Sequence, residues 1–287
     1  MKRTRLLTGW IAAFLICCFA ISAYAADLIT PGELEKIMDN ENVIVVSARS
    51  AKDYKKIHIK NAVHVDLEDL YKSGDVKGLL KSPDEIATIL GSKGISESKT
   101  IVLYCNKSVN AGRLYWILKY LGANDVKILD GQLKAWRKAR KSVTKEVPEV
   151  AAATFTPKVN SAIIVDMKYV QSHRTDAGVV LVDARDKEEF DGTKGETARK
   201  GHIPGAIHFE YKNILNDDST VKSKADILSA AKGAGITSDK EVILYCETSG
   251  RTGIVFMALT SIAGYTNVKV YDGAFYEWSA DASNPVE

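Results

Sequence analysis

Short β-branched runs alternate with helix-patterned segments along most of the chain. Val45-Val46, Ile101-Val102-Leu103-Tyr104, Val126-Lys127-Ile128-Leu129, Leu181-Val182, Val242-Ile243-Leu244-Tyr245 and Val268-Lys269-Val270-Tyr271 have strand length, and several are apolar throughout. A strand that is apolar on both faces is buried on both, as in a parallel sheet covered by helices. Pro31 to Met38, Ser82 to Leu90 and Ala111 to Leu121 carry apolar residues at helical spacing, and another apolar helix is expected from near Thr252. The pattern predicts an α/β fold with a mainly parallel sheet and helices on both faces.

The pattern also repeats. Val45-Val46-Ser47-Ala48-Arg49 matches Leu181-Val182-Asp183-Ala184-Arg185, and Ile57 to His64 matches Gly201-His202-Ile203-Pro204-Gly205-Ala206-Ile207-His208. Ile101 to Cys105 matches Val242 to Cys246, and Val126 to Gly131 with Trp136 matches Val268 to Gly273 with Trp278. The two cysteines lie 141 residues apart and the two tryptophans 142, a near-constant register that means duplication. This divides the chain into a leader at 1–25, a first domain at 27–142, a linker at 143–160 with Pro148, Pro157 and an Ala151-Ala152-Ala153 run, and a second domain at 161–287. The halves differ by one insertion: Arg49 to His58 spans nine residues but Arg185 to His202 seventeen, the excess falling within Asp191 to Lys200.

The leader changes the composition. Met1-Lys2-Arg3-Thr4-Arg5 is basic, Leu6 to Ile21 is almost wholly apolar, and Ala23-Tyr24-Ala25 offers a small-x-small cleavage site, so export, to a periplasm, is expected. An uncleaved anchor is the competing reading, since the apolar run approaches spanning length. The chain carries +3, but Lys2, Arg3 and Arg5 belong to the leader; the 39 basic residues less those three equal the 36 acidic ones. A neutral mature chain has no charge signal for nucleic acid or for a membrane surface. Cys17 and Cys18 leave with the leader, and only Cys105 and Cys246 remain. A disulfide-stapled framework needs more pairs at closer spacing. Five histidines without paired spacing give no metal signal, and no cofactor is expected.

The candidate chemistry lies at Cys246-Glu247-Thr248-Ser249-Gly250-Arg251-Thr252-Gly253, between a strand and an apolar helix. Backbone N–H groups of a short loop there, with the first turn of the helix, face the sulfur, lower the thiol pKa and leave room for an anion. Arg251 adds a positive charge, whereas Glu247 opposes both a thiolate and an anionic ligand. The alternative is that Cys246 is a small core hydrophobe. Cys105 occupies the matching place in the first half, where Asn110 replaces Arg251 and Lys107 and Arg113 are the nearby cations. Ligands of parallel sheets bind beyond the carboxyl ends of the strands, where both cysteines fall. Equivalent sites in separate domains argue against a Cys105–Cys246 bridge.

Leu181 to Arg185, Glu189-Phe190, Gly201 to Ala206, Tyr245-Cys246 and Asp272-Gly273 with Trp278 together resemble the rhodanese superfamily, and the tandem arrangement resembles the two-domain thiosulfate and mercaptopyruvate sulfurtransferases. The first half departs from the pattern at Ser47, Ile57 and Lys60-Asn61. The resemblance implies two tandem rhodanese-like domains and a Cys246 persulfide, with Cys105 as a second candidate site. Donors would be small anionic sulfur compounds (thiosulfate, mercaptopyruvate or polysulfide), acceptors cyanide, a thiol or a protein thiol. Glu247, Thr248, Ser249, Gly250 and Thr252 would line the substrate, with Arg251 orienting the donor. The inserted segment of such proteins lies near the pocket, which makes Arg199 and Lys200 candidate donor ligands, against the reading of a solvated loop. Asp183, Arg185 and His202 are expected to support the site structurally. Cysteine phosphatases place five residues between cysteine and arginine; four intervene here, which favours sulfur over phosphate. The reading from a different class is a non-catalytic binding module or a persulfide carrier for a partner redox enzyme.

Overall fold

In a computed structural model, which describes residues 27–197 and 199–287, each half of the chain builds the same five-stranded parallel sheet. The predicted leader lies outside the described residues, and among those described no helix is long and apolar enough to cross a membrane.

The strands are β1 (Leu28–Ile29), β2 (Val43–Ser47), β3 (His58–Ile59), β4 (Val63–His64), β5 (Thr100–Tyr104), β6 (Asp125–Leu129), β7 (Val143–Thr144), β8 (Ile164–Val165), β9 (Val179–Asp183), β10 (Ile207–His208), β11 (Glu241–Tyr245) and β12 (Val268–Tyr271). The helices are α1 (Pro31–Ile37), α2 (Ala51–Lys56), α3 (Pro83–Ser92), α4 (Val109–Tyr120), α5 (Gln132–Lys138), α6 (Met167–His173), α7 (Lys187–Phe190), α8 (Lys224–Gly233), α9 (Thr252–Met257) and α10 (Ala274–Ala280). The first sheet runs β1-β6-β5-β2-β4, and the second, from the matching edge, β8-β12-β11-β9-β10. Duplication is therefore visible strand by strand, and in register Ser47 pairs with Tyr104 as Asp183 pairs with Tyr245.

Local chemistry sets several helix starts. Thr30 with Glu33 and Ser82 with Glu85 form reciprocal capping boxes, each followed by Pro at the first helical position. These satisfy N–H groups that a helix end otherwise leaves open. The central strands bury both faces. Ile101 and Leu103 on β5, like Val242 and Leu244 on β11, enter one core shared by the two domains. Val102 and Tyr104 enter an outer core in the first domain, and Ile243 and Tyr245 one in the second.

The shared core rests on α4 against α9, which are equivalent helices crossing at equivalent glycines. A Cβ on Gly253 would stand 2.1 Å from the Gly112 carbonyl oxygen, and one on Gly112 would stand 2.4 Å from the Ile254 nitrogen. No side chain fits there without moving backbone. The Asp-Gly pairs of the repeat also act across the interface. Asp272 accepts from Leu80 N (3.0 Å) and Asp130 from Val221 N (2.8 Å).

The segment read as a linker is docked rather than loose. It opens with β7, which pairs antiparallel with β3. Further along, Ala153 N donates to Gly91 O, Lys158 N to Leu121 O and Asn160 N to Tyr120 O, at 2.8–2.9 Å. Proline and alanine in sequence report local conformation and are silent about such distant partners.

Candidate functional site

β11 ends at Tyr245 and α9 starts at Thr252, so the intervening six residues must reverse the chain beyond the carboxyl edge of the sheet. The turn needs a left-handed residue, and Ser249 supplies it with φ +57°, as Ser108 does in the first loop with φ +67°. A non-glycine residue there carries strain unless its surroundings hold it. In the second loop Ser249 Oγ donates to the carbonyls of Tyr271 and Asp272, while Ser108 Oγ has no partner.

All five carbonyls from Cys246 to Gly250 find donors outside the loop's concave side. Phe275 N serves Cys246 O (2.9 Å), Tyr276 N serves Glu247 O (2.9 Å) and Gly253 N serves Gly250 O (3.2 Å). Arg113 Nη1 serves Thr248 O (2.8 Å), and Trp116 Nε1 (3.3 Å) with Thr252 Oγ1 (2.6 Å) serves Ser249 O. In a planar trans peptide each N–H opposes the preceding carbonyl, so the N–H groups of Glu247 to Arg251 turn inward. The first loop has the same design: the backbone N–H groups of Ala111, Lys107, Asn110 and Ser108 favour a charged Cys105 sulfur. Burial outweighs them and pushes the Cys105 thiol above its ordinary value.

Both cysteines are buried free thiols, but their access differs. Cys246 lines a cavity of about 480 Å³. Its charged walls are Asp186, Glu189, Glu196 and Glu247 against Lys194 and Arg251. Beside the first loop, one cavity borders Arg49 and Asn106 and another borders Asn110 and Arg113, and Cys105 lines neither.

Arg251 is not a free cation. Its guanidinium grips both carboxylate oxygens of Glu189, one at 2.8 Å, and reaches Asp186 at 3.2 Å and Glu247 at 3.9 Å. Burial pulls the Arg251 pKa down, but the Glu189 hydrogen bond and the nearby charge of Cys246 push it above its ordinary value overall. Glu247 is raised as well, which for a carboxylate disfavours the charge: burial first, then repulsion from Glu189, hold it above its ordinary value despite Arg251.

Of the other candidate residues, Thr248 and Gly250 line the cavity, whereas Ser249 and Thr252 are fully buried beneath it. Asp183 and Arg185 form a buried fork, with Nε 2.9 Å from each carboxylate oxygen, and Arg185 also donates to Gly201 O at 2.7 Å. His202 stacks on Phe190 with centroids 3.7 Å apart and donates from Nδ1 to Phe190 O, so it braces the turn. The insertion does reach the cavity, but through Lys194, Gly195 and Glu196. Arg199 lies elsewhere, its guanidinium bound to the carbonyls of Trp278 and Ser279 in the last turn of α10 and of Asp281 and Asn284 just past it. Lys200 is exposed and is not among the lining residues. The acidic wall of Asp186, Glu189 and Glu196 was missed in sequence, although Glu189 lies four residues past Arg185 inside the repeat.

The rhodanese-like domain profile matches residues 30–139 and 166–281. The chain is 31% identical to the thiosulfate sulfurtransferase of Pseudomonas aeruginosa over 262 residues, 91% of this chain and 96% of that protein. It is 29% identical to the sulfur carrier protein TtuD of Thermus thermophilus over 81% of this chain and 86% of TtuD. A solved structure of an anaerobic ergothioneine biosynthesis enzyme from Chlorobium limicola, bound to trimethyl histidine, superposes with a TM-score of 0.83 at 26% identity, covering 91% of this chain and 70% of that one. Two profile matches, two copies of one sheet and two cysteine loops agree: the chain belongs to the rhodanese family of sulfurtransferases and carries the domain twice.

Proposed function

We propose that the protein is an exported sulfurtransferase whose sulfur carrier is Cys246. The observation that carries this reading is the position of Cys246 on the cavity wall, inside a loop whose carbonyls all turn outward. The Cys246 thiolate attacks the outer sulfur of a donor. The bond between that sulfur and the rest of the donor breaks, and the leaving group, sulfite in the case of thiosulfate, departs with the electron pair. The inward N–H groups of the loop stabilise the resulting Cys–S–S⁻ anion. An acceptor thiolate or cyanide then attacks the terminal sulfur and Cys246 leaves as thiolate. Arg251 lines the same cavity as the reacting sulfur, with its guanidinium held by Glu189 and Asp186. Export rests on the basic, apolar and Ala-Tyr-Ala segments of the leader.

The acidic wall and the likeness to a sulfur carrier support a protein thiol as the acceptor in place of a free anion. The reduced protein is expected to form thiocyanate from cyanide with at least one of thiosulfate, mercaptopyruvate and polysulfide. No turnover with any of the three would contradict the enzyme and leave the carrier.

Glu247 provides a graded check. Its carboxylate stands beside Cys246 and Arg251, so Glu247→Gln should raise kcat/KM for thiosulfate by roughly three- to tenfold, the value of one partly screened charge. The same variant has a pH signature. A carboxyl raised in the folded state contributes stability below its unfolded value and loses it as pH rises through the folded one. Glu247→Gln should therefore raise the thermal midpoint at pH 7–8 by roughly 1–3 °C, with the gain vanishing below about pH 4. A lower kcat/KM, or a stability gain confined to acid pH, would contradict this account of Glu247.

A further inference from the structure

Two of the five outward carbonyls of the Cys246 loop are served from the first domain. Arg113 and Trp116 lie one turn apart on α4; Arg113 Nη1 donates to Thr248 O at 2.8 Å and Trp116 Nε1 to Ser249 O at 3.3 Å. Both side chains are fully buried. Arg113 is fixed in turn by Gly78 O and by Asp272 Oδ1 (3.3 Å), and its guanidinium lies over Trp116, 4.8 Å from the ring centroid. Gly78 also abuts Thr248, where an added Cβ would come within 3.0 Å. A planar fork clamped on three backbone or carboxylate oxygens holds a carbonyl direction that a lysine cannot.

The arrangement runs one way. At the 141-residue offset, Ile254 and Met257 of α9 stand where Arg113 and Trp116 stand on α4, and neither has a donor to return to the first loop. Arg113 was a candidate cation for Cys105; its guanidinium instead serves the other domain.

We propose that Arg113 and Trp116 are positioning residues for sulfur transfer at Cys246: by holding the Thr248 and Ser249 carbonyls outward they turn the Ser249 and Gly250 N–H groups toward the sulfur. The first domain thereby takes part in the chemistry of the second without its own cysteine. This rests on Cys246 being the sulfur carrier.

The test compares Arg113→Met, Arg113→Lys, Trp116→Phe and Asp130→Ala in the full-length protein. Two quantities are read: the pH midpoint of Cys246 alkylation by iodoacetamide, followed by peptide mass spectrometry, and the steady-state kinetics of sulfur transfer. Arg113→Met should lower kcat by roughly ten- to a hundredfold with little change in KM and move the alkylation midpoint up by about one pH unit. Arg113→Lys should fall between it and wild type, and Trp116→Phe, which keeps the ring and loses only the N–H, should shift both readouts in the same direction by less. Asp130→Ala removes the acceptor of the interface bond from Val221 and should lower the unfolding midpoint without moving the alkylation midpoint. If Arg113→Met does not fold, Trp116→Phe decides. Folded Arg113→Met and Trp116→Phe with wild-type alkylation midpoints and kcat would overturn the proposal. Wild type that alkylates at Cys246 but turns over no donor would instead overturn the enzyme reading, leaving the alkylation comparison to judge this one.

Discussion

Replacing Cys246 by serine is expected to lower sulfur transfer by on the order of 10³-fold or more, since the covalent route is lost outright. Cys105→Ser should keep nearly the wild-type rate. The two loops share a backbone design, a left-handed serine and inward N–H groups, so backbone alone does not separate them. Access and charge do. Cys246 opens onto a cavity that Arg251 also lines, whereas Cys105 lines neither cavity beside its loop and its thiol is raised by burial. Asn110, at the Arg251 position, spends its amide on Ala48 O at 3.0 Å. A steady-state assay on both variants with the best donor checks this. Comparable losses in the two variants would mean that Cys105 works as well.

Asp183→Ala is expected to cost about 3–5 kcal/mol of stability, because it leaves the Arg185 guanidinium buried without its counter-charge. Asp183 is fully buried and binds Arg185 through both oxygens, and Arg185, 2% exposed, lies 4.1 Å from the Phe275 ring centroid. The first domain shows how the fold meets the same loss. With Ser47 in place of the aspartate, Arg49 turns outward to Asn106 Oδ1 at 2.7 Å and to Ile57 O. Asn106 stands where Glu247 stands in the second loop. The second domain keeps its acid at Glu247 and its ion pair below. Urea unfolding at neutral pH gives the comparison; a loss below about 1 kcal/mol would mean that Arg185 finds Glu247 or water instead.

The parts of the fold that were legible in sequence rest on local chemistry or on the repeat. The helical spacing of Pro31 to Met38 and Ser82 to Leu90 marks α1 and α3, whose caps Thr30 and Ser82 sit directly before them with a glutamate three residues on, and the apolar runs of β5 and β11 fall within a residue of their expected bounds. The repeat brought Cys105 and Cys246 to equivalent ends of equivalent strands. Contacts between distant segments left no such trace. Arg199 carries the same charge whether it faces a donor or caps the C-terminal end of α10, and only the fold decides. Arg113 reads as a cation of the first loop until α4 is laid across α9. The acidic cavity wall was hidden for a related reason: Glu189 closes a capping box with Asp186 on the short α7, an ordinary local role, while its carboxylate also grips Arg251.

The central claim is that sulfur rides on Cys246. Reduced protein incubated with a sulfane donor, capped with an alkylating tag and digested for mass spectrometry tests it most directly. The account predicts the tagged persulfide on the peptide carrying Cys246. A persulfide confined to the Cys105 peptide, with Cys246 recovered as a plain thiol, would contradict it.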